Sequence, residues 1–230
     1  HIVSMDNNYQ TIDPELSPRT PEGDIDYESL YCLDTDLLNK HFDLLEEGKE
    51  ILIPHFDFAN QKRDPNRVTP MNLGRNDVAI FEGIHALNPI FTKEHPNALK
   101  AYVCPESIIC DGGADVITGA DLRLLRRLIR DDFFRGADPT FTLGMWDNIQ
   151  RGEVENILPF KPTADIAIDT ALLYEPAVLK QFTDHLLGRV PETTKNYALL
   201  KNALRAFPDF PTIDLDLVPK NSILREFIGG

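Results

Sequence analysis

Cysteine is scarce in this chain, basic residues are outnumbered and no long apolar run occurs; each shortage removes a class of protein. Three cysteines, Cys32, Cys104 and Cys110, are too few and too irregularly spaced for a disulfide framework, and no CxxC or Cys/His set has zinc spacing. A reducing, cytoplasmic setting is the expectation. No apolar stretch approaches the roughly 18 residues that span a bilayer, and no signal peptide is visible. Against 23 Lys and Arg stand 37 Asp and Glu, a formal charge of -14. A nucleic acid or an anionic membrane would be repelled wherever that charge is not locally reversed, so neither is expected as a partner. Any local basic cluster is therefore informative.

What is there reads as an α/β protein. A length of 230 residues buries one substantial core, with a second small domain allowed but not demanded. The chain opens with His1 rather than Met, which suggests a fragment. Short extended pieces are expected at 1–5, 51–53, 78–82, 100–104 and 164–169. Helices are expected from Asp34-Thr35 to Gly48, from Asp121 to Phe134, from Asp138-Pro139 to Gly152, over 175–187 and over 192–207. The proline-rich stretch up to Asp26 reads as a long loop, residues 56–73 as polar and turn-rich, and the tail as coil. Strands alternating with helices point to a mostly parallel sheet. The run Val78–Phe81, four apolar residues closed by Glu82-Gly83, reads as a strand covered on both faces.

Two acids, Asp6 and Glu82, then stand at strand carboxyl ends, where open parallel sheets bind ligands. A single acid there is more often a loop cap; the same device on two strands shifts the balance toward function. Hard oxygen donors of this kind suit Mg²⁺, which keeps several waters and is bound by one or two carboxylates plus substrate phosphates. The stretch "DLRLLRRLIRDDFFR", 121–135, carries five arginines in an acidic chain. Arg123, Arg127 and Arg130 share a helical stripe with Arg126 beside it; the stripe is either a solvated face balanced by Asp121, Asp131 and Asp132 or a phosphate clamp. His85 and Trp146 read as packed residues.

Six stretches in order, "SMDNNY" at 4–9, "GDIDYESLYCLD" at 23–34, "PHFDFANQKRD" at 54–64, "DVAIFEGIHALNP" at 77–89, "DLRLLRRLIRDDFFRG" at 121–136 and "NSILREFIGG" from 221, give the chain a resemblance over nearly its whole length. It resembles the uridine kinase and phosphoribulokinase branch of P-loop kinases, and most nearly bacterial uridine kinase-like nucleoside kinases. The resemblance implies a P-loop NTPase-like sheet flanked by helices, a single kinase domain over 1–230, a helical lid over about 119–152 and a C-terminal helix and tail over about 192–230. It implies an ATP- and Mg²⁺-dependent transfer to a nucleoside 5′-hydroxyl, in the cytoplasm. By the same resemblance Asp6 is the proton acceptor, Glu82 the acid facing Mg²⁺, and Asp26 a carboxylate on the substrate or metal side. Phe56, Gln61 and Arg63 fall on the substrate side. Arg123 and Arg127 are implied at the transferring phosphoryl group, Arg130 at the substrate and Arg126 at a nucleotide phosphate.

Three departures shape these expectations. The motif G-x-x-x-x-G-K-[ST] is absent, since the one Gly-Lys pair is Gly48-Lys49. The loop and first strand are therefore expected in an N-terminal region preceding His1, and the 230 residues alone are expected to be inactive. Phe56 and Gln61 stand where uridine kinases carry a Tyr and a His; a phenyl ring stacks but forms no hydrogen bond through a side-chain donor. "DGGADVITGADLR" leads into the lid differently from the shorter linker of the pyrimidine kinases. A kinase for another small alcohol, such as a sugar phosphate, and a non-catalytic nucleotide-binding module remain open, as does a homo-oligomer.

Overall fold

In the computed structural model, which describes residues 1–58 and 60–229, the apolar start of the chain forms β1 (Ile2–Ser4) and passes directly into a 3-10 turn over Met5–Asn8. The loop that follows leads to α1 (Thr35–Glu46), capped where the Asp34 Oδ1 accepts a hydrogen bond from the Leu37 N–H at 3.1 Å. Next, β2 (Ile51–Asp57) and β3 (Lys62–Met71) pair antiparallel. The expected loop over 56–73 is thus mostly strand. β3 is polar and largely exposed, held by main-chain bonds to β2 rather than by an apolar face, so hydrophobic periodicity cannot reveal it.

β4 (Ile80–Glu82) lies parallel to β1, with Ile2 opposite Ile80, Val3 opposite Phe81 and Ser4 opposite Glu82. The short helix α2 (Pro89–Thr92) follows. The expectation that 78–82 is covered on both faces is corrected. Successive side chains alternate: Phe81 meets Phe42 edge-on at 4.4 Å, whereas Ile80, 57% exposed, shares the open face with Glu82. Val3, Leu45, Ile51 and Ile53 form one buried cluster beside these strands, and Met5, Leu33, Leu38 and Phe91 form another.

Later elements are β5 (Ala101–Cys104), the antiparallel hairpin of β6 (Ile109–Asp111) and β7 (Ala114–Ile117), α3 (Gly119–Phe134), α4 (Pro139–Gly144) and α5 (Trp146–Asn156). After them come β8 (Ile166–Asp169), which pairs with β5, α6 (Glu175–Arg189), α7 (Tyr197–Ala203) and α8 (Arg225–Ile228). A capping box opens α3: Thr118 and Asp121 exchange side-chain bonds with each other's main-chain N–H groups. The single helix expected from 138 to 152 is divided at Met145, beside Gly144, and the tail expected as coil carries α8. α3 buries Leu122, Leu125, Leu128 and Ile129 and packs against α4, α6, α7 and α8.

The fold is α/β. Parallel pairing joins β1 to β4, but β2–β3 and β6–β7 are antiparallel, because their connections are too short for a crossover. Two compact units form, His1–Ala101 with Asn148–Asp165 and Tyr102–Asp147 with Ile166–Gly230. Among the described residues, no helix is long and apolar enough to cross a membrane.

Candidate active site

The first unit brings together the two strand-end acids. Glu82 closes β4 in register with Ser4, and Asp6 lies two residues beyond Ser4 on the turn that ends β1. Parallel neighbours present their carboxyl ends on the same side, so Glu82 and the turn that carries Asp6 stand at one end of this strand pair. Among the described residues, no group of three or more His, Cys, Asp or Glu is arranged to hold a metal ion. Carboxylates are the donor type that Mg²⁺ takes, one or two of them alongside waters and substrate phosphates.

Asp26, 9% exposed, is not at a strand end but at the close of the long loop. Its Oδ2 lies 3.2 Å from the Arg151 guanidinium, its Oδ1 accepts from the Glu28 N–H at 3.2 Å, and its carbonyl accepts from the Cys32 thiol. Burial, and then the Asp26 and Glu28 carboxylates, push that thiol up to about 11, so Cys32 stays protonated and unreactive at neutral pH. His85 is buried at 1% exposure, facing the Glu28 main chain and Asp26; burial pushes its imidazole down to about 4 against the pull of both groups. It is a neutral ring at neutral pH.

Arg151 is the residue that sequence reasoning missed. Its signal is faint: a lone arginine in a stretch otherwise acidic and polar, followed by Gly152. That glycine has a physical reason, because a Cβ there would sit 2.5 Å from the Glu28 Cβ.

Phe56 belongs to an aromatic cluster, 5.5 Å from the Tyr9 ring and 5.1 Å from that of Phe58. Gln61 turns the β2–β3 hairpin with φ +53°, and its carbonyl accepts from the Ile12 N–H at 3.0 Å. Arg63, expected on the substrate side, donates to the carbonyls of Tyr9 at 3.2 Å and Asn8 at 2.9 Å, and to Asp34 at 2.8 Å. Together these bonds hold the chain just after Asp6 in place.

In the second unit the arginines of α3 divide by environment. Arg126, expected at a nucleotide phosphate, is buried and engaged at all three side-chain nitrogens. It bonds both Glu175 oxygens at 2.5 and 2.6 Å and the Thr170 carbonyl at 2.7 Å. The sequence shows its position on the helix but not the carboxylate 49 residues away that claims it. Arg130 meets Asp131 at 3.4 Å and Glu226 at 3.0 Å, and Arg127 lies 3.6 Å from Asp131. Arg123 occupies the same stripe, one turn earlier.

Comparison with known sequences decides the family. The family model described as "Phosphoribulokinase / Uridine kinase family" matches residues 1–172. The chain belongs to this family. Relatives include the uridine kinase of Schizosaccharomyces pombe, 25% identical over 99% of this chain and 48% of its own length. Uridine-cytidine kinase 2-B of Danio rerio is 27% identical over 73% of this chain and 58% of its own. The uridine kinase of Deinococcus deserti is 28% identical over 84% and 82%. The chain spans about half the length or less of the first curated relatives it matches. The family match takes in Asp6, Glu82 and the whole arginine helix.

Proposed function

We propose that the protein transfers the γ-phosphoryl group of ATP to the 5′-hydroxyl of a pyrimidine nucleoside, on a P-loop kinase fold in which α3 belongs to a lid. The observation that carries this reading is the register of β1 with β4, which sets Asp6 and Glu82 at one edge in a chain of this family. Asp6 accepts the hydroxyl proton on a carboxylate oxygen as the nucleoside oxygen attacks phosphorus and the bond to the ADP oxygen breaks. Glu82 would hold Mg²⁺, and the ion would supply charge neutralisation on the phosphates. Asp26, fixed by Arg151, orients the ribose hydroxyls, while the Phe56 ring stacks on the base. Arg123, Arg127 and Arg130 offset phosphate charge, and Arg126 anchors their helix through Glu175.

The test is Asp6→Asn in the intact protein, with uridine and cytidine as acceptors. Transfer is expected to fall by about 10²–10⁴-fold with the unfolding midpoint unchanged; normal turnover by the variant removes Asp6 from the role. A second acceptor class is favoured by one feature: the Phe56 side chain has no hydrogen-bonding atom to select a base. Sugar phosphates therefore belong in the same acceptor panel.

A further inference from the structure

The end of the chain is built onto the arginine helix. Leu224 and Ile228 are buried, the Tyr174 hydroxyl meets Ser222 at 3.1 Å, and the Arg225 guanidinium gathers the carbonyls of Leu215 at 2.9 Å, Gly229 at 3.1 Å and Val218. This framework sets Phe227 against two arginines one turn apart, with guanidinium carbons 5.3 Å (Arg126) and 6.0 Å (Arg130) from the ring centre. Glu226, the neighbouring residue, reaches Arg130.

The two arginines differ in what holds them. Arg126 is locked by Glu175, which is wholly buried. In the Arg130–Glu226 pair the glutamate side chain is 59% exposed and the arginine 18%. Arg127, Arg130 and Arg135 converge on the single carboxylate of Asp131 at 3.6, 3.4 and 4.0 Å. Burial, and after it the adjoining charge of Arg130, holds the Arg135 guanidinium below its usual range. Glu226 is a counter-charge to Arg130 from an exposed position.

We propose that Glu226 is a built-in competitor for phosphate: it occupies Arg130 while the arginine stripe is empty and is displaced when a polyphosphate anion binds there. The inference rests on the phosphate role assigned above to the stripe. Phe227 keeps the guanidinium in place through the exchange, so the site is preformed and the segment from Ser222 to Gly229 sets how readily phosphate engages.

Tripolyphosphate titrated calorimetrically into this chain, at low and at high salt, tests it. Glu226→Gln, a near-isosteric change at an exposed position, is expected to tighten binding by about two- to fivefold at low salt, the worth of one exposed ion pair. The gain should shrink at high salt. Arg130→Gln should weaken binding and abolish the benefit of Glu226→Gln when the two are combined. Binding by Glu226→Gln that matches or falls below the parent overturns the proposal, because a residue serving only to fasten the tail could not improve affinity when removed. If Arg130→Gln weakens binding while Glu226→Gln does not tighten it, the competitor alone falls. If Arg130→Gln has no effect, or the parent chain does not bind, the phosphate reading of the stripe falls with it.

Discussion

Gly83 lies against Met5 so closely that a Cβ on the glycine would stand 3.0 Å from the Met5 Cβ and 3.5 Å from its sulfur. Here the chain leaves β4 just after Glu82 and leaves β1 just before Asp6, so the contact sets how near the two acid-bearing exits come.

Gly83→Ala therefore wedges these exits apart. Met5 is 1% exposed and has no outward route, so the extra methyl must move main chain. The expected cost is about 1–3 kcal/mol of stability, read by urea unfolding, with a drop in phosphotransfer larger than the loss of folded protein explains. A variant of parental stability and activity would show that the close approach is dispensable.

Gly152→Ala makes the corresponding change at the Asp26–Arg151 pair. The new Cβ meets the Glu28 Cβ at 2.5 Å, an atom that cannot swing aside, so the helix carrying Arg151 must retreat from the loop carrying Asp26. If Asp26 binds the acceptor, the acceptor KM should rise by about tenfold or more, while the KM for ATP changes little. Equal effects on both constants would point to general loosening instead.

Arg126→Met strips the partner from a carboxylate with no exposed surface, and leaving a buried charge uncompensated costs about 3–5 kcal/mol. The double variant Arg126→Met/Glu175→Met removes both charges and should recover much of the stability. Chemical denaturation of the single and double variants checks both statements. A harmless Arg126→Met would mean that the pair does not hold the helix.

His85 adds a pH dependence whose sign follows from its buried, neutral ring. Its imidazole titrates at about 4 in the folded protein and about 6.5 when unfolded, so between those values the unfolded chain holds the extra proton. Its contribution is intact above about pH 6.5 and is lost as the pH falls through 4, by up to about 3 kcal/mol. Unfolding free energies across that range should fall less steeply in His85→Leu than in the parent; parallel curves would exclude the imidazole as their source.

Much of this was legible from sequence where local chemistry settles it. Asp34 capping α1, the helix through Asp121 to Phe134, the strand ends at Glu82 and Asp169 and the arginine stripe all follow from periodicity and from the conformations their residues favour. Two kinds of feature did not show. β3 is stabilised by main-chain pairing, which leaves no mark on side-chain pattern. The partners of Arg63, Asp26, Arg126 and Arg130 are set by contacts across 29, 125, 49 and 96 residues.

By itself the sequence determined which residues carry charge, where the longer helices and the apolar strands lie and the family to which the chain belongs. Only the tertiary structure decided which of those charges are spent on one another. Packing closes loops that composition cannot measure, and an arginine met by a buried carboxylate is a scaffold, whereas one met by an exposed carboxylate can still exchange its partner for a phosphate.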